Sequence, residues 1–141
     1  NTVDVTAPDN VLGNGVLSNG AVASVHVATV PWHGTGWRME VYGREGTLVY
    51  DGSHIAHNRL EGARADERAL HEMEVPERLT WVPGDVPKGS PFNVAQMYRR
   101  FAEAIHSGQR VEPDFDTALK RHKLLAAIER SSEEGKRQAL V

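Results

Sequence analysis

The sequence predicts an α+β fold, in which a mostly antiparallel, open-faced β-sheet carries two C-terminal helices packed on one of its faces. Two observations predict this class. In the first half, side chains alternate between two faces as in strands, and tight-turn signals separate these segments. In the second half, apolar residues recur at helical spacing. Strands that precede helices, instead of alternating with them, favour an antiparallel sheet. The length of 141 residues suits one domain, which we expect to span residues 1–141.

The first half is expected to form successive β-hairpins. The Asn-Gly pair at 19–20 supplies the positive φ angles of a tight turn, and residues 21–30 alternate small and β-branched side chains as a strand does. Residues 37–42 alternate more clearly. The Gly-Arg-Glu-Gly segment at 43–46 then predicts a turn into a partner strand over residues 47–50.

The middle of the chain predicts more strands and then an irregular crossover. Asp51-Gly52 indicates another turn, residues 54–60 and 70–75 indicate two strands, and residues 61–68 indicate a charged connection between them. Four prolines break up the segment that follows: Pro76, Pro83, Pro87 and Pro91.

The first predicted helix begins at Ser90-Pro91, because serine can cap a helix and proline is tolerated at its first position. Gly108 is expected to end it. Its apolar residues recur at helical spacing and predict one buried stripe. They are Val94, Tyr98, Phe101 and Ile105.

A second helix is expected to begin after Asp114 or Asp116, either of which can cap it, and to run to about Glu134. Gly135 is its end signal. Residues 138–141 are expected to add a short edge strand.

Composition excludes several classes of protein. The net charge of −3 gives no electrostatic reason to expect binding to nucleic acid or to a membrane surface. No apolar run approaches the roughly 20 residues that span a bilayer. The chain has no cysteine, so disulfides are excluded and we expect a cytoplasmic protein.

The glycine patterns do not predict a dinucleotide site. Gly13-Asn14-Gly15 is a G-x-G, but Ser18 stands where the third glycine belongs and no helix follows. A hairpin turn is the better interpretation of these glycines. We therefore assign no cofactor-binding residue and no catalytic residue.

The histidines do not predict a metal site either. His54 and His57 form an H-x-x-H pattern, but residues three apart on one strand point to opposite faces. There is no cysteine and no H-E-x-x-H helix to support metal binding. We expect no metal.

The strongest candidate for a binding site is the segment at 32–38. Two indoles, Trp32 and Trp37, bracket a turn that also carries His33 and Arg38. Indole faces stack on apolar surfaces, while histidine and arginine can hydrogen-bond hydroxyls or carboxylates. We add His26, on the preceding strand, as a further candidate. The alternative is a connecting loop whose indoles pack against the sheet edge.

Four motifs in order resemble the C-terminal domain of the Gfo/Idh/MocA family of oxidoreductases. The first is the turn at 18–21 leading into a strand of small residues, and the second is the G-x-x-G-T-L hairpin at 43–48. The third is the F-x-x-A-I-x-x-G helix at 101–108. The last pattern ends the second helix and consists of Ser131, Ser132, Gly135 and Leu140.

The resemblance implies a substrate-binding and oligomerisation domain of an enzyme that transfers hydride between NAD or NADP and a sugar, cyclitol or related polyol. It implies a homo-oligomer formed through the open sheet face, for which the partly polar set Ser24, His26, Arg38, Glu40 and Tyr42 is suited. The family's nucleotide-binding domain and catalytic lysine have no counterpart in these residues. We therefore expect this chain to hold no cofactor and to be inactive alone. The alternative is a stand-alone module that binds a small ligand or dimerises.

Overall fold

The computed structural model describes residues 3–4, 6–29, 32–54 and 57–140, with the backbone alone at 54, 57 and 58. Antiparallel strands precede two helices, so the predicted α+β class is confirmed. The strands are β1 (Asn10–Val16), β2 (Val22–Ala28), β3 (Trp37–Tyr42), β4 (Gly46–His54), β5 (His57–Arg64) and β6 (His71–Glu72). The helices are α1 (Ser90–Ser107) and α2 (Phe115–Glu134), with a 3₁₀ turn at Glu77–Leu79.

The described strands form two antiparallel sheets. One is the β1–β2 hairpin, and the other has four strands in the order β3-β4-β5-β6. The chain divides into two compact units: residues 1–34 with 115–141, and residues 35–114. The four-stranded sheet and α1 therefore belong to one unit, and the hairpin and α2 belong to the other.

The β1–β2 hairpin turns where the Asn-Gly pair predicts. The side-chain oxygen of Asn19 accepts a hydrogen bond from the Ala21 amide at 3.0 Å, and Gly20 has a φ of +87°. The hairpin turn predicted at Gly13-Asn14-Gly15 is wrong, because these residues lie within β1 and pair with residues 23–25 of β2. Glycine has no side chain and can occupy a strand as well as a turn.

The four-stranded sheet confirms the turn at 43–46 and corrects the region after it. The turn predicted at Asp51-Gly52 is wrong: β4 continues to His54, and Gly52 pairs with Trp37 of β3. The ladder instead has an irregularity in register between Asp51 and His54. Strand β5 runs to Arg64, so half of the predicted charged connection is strand.

The sequence interpretation placed both H-x-x-H histidines on one strand, and this is wrong. His54 ends β4 and His57 begins β5, and the backbone register places them opposite each other. Residues 55 and 56, which separate them in sequence, lie outside the described residues. Elsewhere in the described part of the chain, no three histidine, aspartate or glutamate side chains gather as metal ligands do.

The helices begin and end close to the predicted residues. Helix α1 has Gly89 at its N-cap, so the predicted capping by Ser90 is wrong, while Pro91 lies in the first turn as expected. Gly108 ends α1. The edge strand predicted at the C-terminus is absent from residues 138–140. The side-chain amide of Gln138 donates to Glu134 Oε2 at 2.9 Å. Val141 lies outside the described residues.

The side-chain amide of Gln96 hydrogen-bonds the crossover segment, which precedes α1, to that helix. The oxygen of Gln96 accepts from the Trp81 backbone amide at 2.7 Å, and its nitrogen donates to the Leu79 carbonyl at 2.8 Å. Arg100 lies over the Trp81 ring, 5.1 Å from its centre. A segment too rich in proline to form regular structure is thereby given backbone partners by the helix.

Candidate substrate-binding and interface surface

One face of the four-stranded sheet carries a row of charged side chains, which we call the charged ladder: Arg38, Glu40, Asp51, Arg59 and Glu61. The register explains the grouping. Arg38, Asp51 and Arg59 are directly paired across three strands, and directly paired residues point to the same face. Residues two positions along a strand also share that face, which adds the two glutamates.

Ion pairs connect the whole charged ladder. Arg38 donates from Nε and Nη2 to Glu40 Oε1 at 2.8 and 2.6 Å, and from Nη1 to Asp51 Oδ2 at 2.9 Å. Arg59 reaches Asp51 at 3.9 Å and Glu61 at 3.1 Å. Because the opposite charges alternate, each arginine lies between two carboxylates of its own chain.

Val49 lies beneath the charged ladder. It stands between Glu40 and Glu61 in the register and is only 2% exposed. Among the described apolar side chains, it and Ala127 are the only buried ones. The long apolar stems of charged side chains can cover an apolar residue while their charged ends stay in water. The charged ladder therefore flanks Val49, the one buried side chain among the described residues of this sheet.

The pKa values of Arg38, Glu40 and the neighbouring Tyr42 are shifted by their contacts with one another. The hydrogen bond from Arg38, followed by one from Tyr42, lowers the pKa of Glu40. The hydrogen bond to Glu40 raises the pKa of both Arg38 and Tyr42. All three shifts favour the protonation states that hold the network together at neutral pH.

The structure places the predicted site residues in separate surroundings. Trp32 and His33 lie in a turn, where Trp32 is 96% exposed. Trp37 and Arg38 are consecutive on β3, so they point to opposite faces of the sheet. His26 is in the same unit as Trp32 and His33, and its Nε2 lies 2.9 Å from Asn10 Oδ1 across the β1–β2 hairpin.

Arg38 is thus the one predicted site residue that joins a larger charged group. A guanidinium has five N–H donors, and three of those of Arg38 are used within the chain. Two donors remain to bond a hydroxyl, but the positive charge is already balanced by two carboxylates.

Comparison with known families identifies the chain. The model of an oxidoreductase family, C-terminal alpha/beta domain, matches residues 3–140.

The chain belongs to the Gfo/Idh/MocA oxidoreductase family, as its C-terminal domain. The match covers nearly every residue and confirms the resemblance that the four motifs predicted. No curated protein and no solved structure matches the chain. In the described residues of this Gfo/Idh/MocA domain, no helix is long and apolar enough to cross a membrane.

Sequence reasoning missed three members of the charged ladder of this Gfo/Idh/MocA domain. The sequence interpretation placed Asp51 in a turn, Arg59 in a strand of unknown register and Glu61 in a connection. Their common face was therefore not recognised. The signal was the alternation of Arg59 and Glu61 with Leu60 and Gly62. The common face of these residues can be recognised only when β4 is extended through Gly52.

Proposed function

We propose that this chain is the substrate-binding and oligomerisation domain of an NAD(P)-dependent oxidoreductase that acts on a sugar, cyclitol or related polyol. The family match over residues 3–140 carries the proposal. In the whole enzyme, a nucleotide-binding domain supplies the nicotinamide cofactor and the catalytic lysine, and this chain supplies a wall of the substrate pocket. The chain alone is then catalytically silent.

The substrate side of the proposal rests on Trp32 and His33 of the segment at 32–38, with His26 of the same unit as a further candidate. Polyols present C–H surfaces beside hydroxyl groups, and an indole can stack on the first while histidine bonds the second. Trp32 and His33 provide these groups within one unit. Arg38 points to the opposite face of the sheet from Trp37 and belongs to the oligomer side of the proposal.

The test of the substrate site is the variant Trp32→Ala in the whole enzyme, assayed with NAD and NADP against a panel of polyols and sugars. We expect KM for the active substrate to rise by about tenfold with kcat little changed, because a stacking contact contributes to binding in both ground and transition states. Phe115→Ala is the matched control, since Phe115 is 94% exposed and lies outside the segment.

An equal effect of both variants on KM would contradict the substrate role of Trp32. Failure of the whole enzyme to reduce either cofactor with any member of the panel would contradict the proposed reaction. Turnover by the isolated chain would contradict the division of roles between the two domains.

The oligomer side of the proposal rests on the charged ladder. Its ion pairs are made within one chain, so a second copy can cover this face without burying an unpaired charge. Tyr42 lies on the same face, is exposed, and combines an apolar ring with a polar end. Aromatic residues of this kind are enriched in interfaces, whose rims are polar and wet.

Sedimentation of the chain over a range of concentrations tests this interface. We expect self-association that Tyr42→Arg weakens by at least about tenfold, because a bulky charge would enter the centre of the contact. Tyr98→Arg, on the exposed stripe of α1, is the matched control and should leave association unchanged. A chain that stays monomeric, or one that loses association equally in both variants, would contradict the proposal.

A further inference from the structure

An open cavity of about 380 Å³ lies at one end of the four-stranded sheet. The turn between β3 and β4 and the connection between β5 and β6 meet there, joined by a hydrogen bond from the Ala65 amide to the Glu45 carbonyl at 3.0 Å. The size falls within the range of roughly 300–1,000 Å³ that is usual for small-molecule sites. All the lining residues belong to the unit of residues 35–114.

The floor of the cavity is apolar and faces away from the charged ladder. Leu48 pairs with Gly62 across β4 and β5, and both neighbour residues of the ladder face in sequence. A Cβ at Gly62 would lie 2.4 Å from Met73 Sδ and 2.9 Å from Leu48 Cδ2. These two side chains therefore close over the glycine, while each stays partly exposed to the cavity.

The rim of the cavity carries four ionisable side chains, of which two are paired with each other. Glu67 Oε1 lies 3.2 Å from His71 Nε2, and Glu67 Oε2 accepts a hydrogen bond from the Arg64 backbone amide. The remaining two are the guanidinium of Arg64 and the carboxylate of Glu45. Neither has a hydrogen bond or an ion pair to any side chain in the described part of the chain.

We propose that this cavity binds a zwitterionic amino acid with an apolar side chain, such as leucine or methionine. The ligand's carboxylate pairs with Arg64, its ammonium pairs with Glu45, and its side chain lies on Leu48 and Met73. A simple carboxylate or a simple amine would leave one of the two rim charges unpaired. The cavity thus offers one cation, one anion and one apolar surface, which match the three parts of the amino acid. This proposed site does not depend on the polyol substrate proposed above.

The first experiment titrates the isotope-labelled chain with leucine and measures the amide chemical shifts by NMR at each concentration. We expect saturable shifts confined to residues 45–48, 62–64 and 71–73, with a dissociation constant on the order of 1 mM, because the site is open and its charges are screened by water. Linear shifts that do not saturate, or shifts spread over the whole chain, would overturn the proposal.

Two variants separate the role of Arg64 from a general charge effect. Arg64→Ala should weaken leucine binding by at least about tenfold, since an arginine–carboxylate contact is a strong, charge-assisted pair. Arg44→Ala removes the same charge from a residue that is next to Glu45 in sequence but does not line the cavity, and it should leave binding unchanged. The amide spectrum of each variant shows whether the fold is retained, and equal losses in both would overturn the assignment.

Two leucine analogues test the zwitterion itself. We expect 4-methylpentanoate, which lacks the ammonium group, and 3-methylbutylamine, which lacks the carboxylate, each to bind at least about tenfold more weakly than leucine. Glu45→Gln should remove the preference for leucine over 4-methylpentanoate. If the acid binds as tightly as leucine to the unmodified chain, the site recognises only a carboxylate and the proposal is wrong.

Discussion

Replacing Gly36 by alanine should destabilise the chain by at least about 3 kcal/mol in the free energy of unfolding, for two reasons that add. The φ angle of Gly36 is +93°, where an L side chain is strained. A Cβ there would also lie 2.2 Å from the Gly52 carbonyl oxygen and 2.8 Å from the Ser53 Cα. Both atoms are backbone, so no rotation of a side chain can relieve the overlap.

Gly20→Ala isolates the first of these reasons. Gly20 has a similar φ of +87°, but a Cβ there would have no heavy atom within 4 Å. We expect a loss of about 1 kcal/mol for this variant, measured like the first by urea titration followed by circular dichroism. The difference between the two variants measures the close approach of Gly36 to β4. Equal losses would show that β4 moves freely, which would contradict the tight register at Trp37 and Gly52.

This close approach also explains the largest error in the sequence interpretation of the fold. Asp51-Gly52 is a common turn pair, and the local signal predicts a turn. In the structure, Gly52 is in a strand because Gly36 and Trp37 lie directly against it. The reason is thus a contact between residues about fifteen positions apart, which no local pattern encodes.

The elements that the sequence predicted well have local causes. The Asn-Gly turn at 19–20 and the ends of both helices at glycines depend on backbone conformations that few other residues adopt. Helix α1 was also placed to within a residue or two. Its apolar stripe was identified by spacing, but Tyr98, Phe101 and Ile105 remain exposed in the described unit. Spacing tells which side of a helix is apolar and leaves open what covers it.

The candidate site was predicted only in part for a related reason. Arg38 and Glu40 were recognised as one face because they are two positions apart on one strand. Asp51 and Arg59 join them through the register of three strands, which depends on where each turn falls. A shift of one residue in any turn would have sent these side chains to the opposite face. The charged ladder is therefore a property of the register and not of any single segment.

The same register gives Val49 its importance, and Val49→Asp should destabilise the chain by at least about 3 kcal/mol at neutral pH. Val49 has the one buried side chain among the described residues of the four-stranded sheet, and its direct neighbours across the strands are Glu40 and Glu61. An aspartate there would place a third carboxylate between two others, with its solvation reduced. The arginines of the ladder are already paired with Glu40, Asp51 and Glu61, so they cannot balance it without giving up those bonds.

Two further substitutions at Val49 separate the causes of this loss. Val49→Asn has the shape of aspartate without its charge and should recover part of the stability, whereas Val49→Ala should cost about 2 kcal/mol through lost burial and a small cavity. Val41→Ala, on the opposite face of the sheet and half exposed, should cost less than half as much. Urea titrations of all four variants give these values. If aspartate and asparagine prove equally destabilising, carboxylate repulsion is not the cause, and burial alone makes Val49 sensitive.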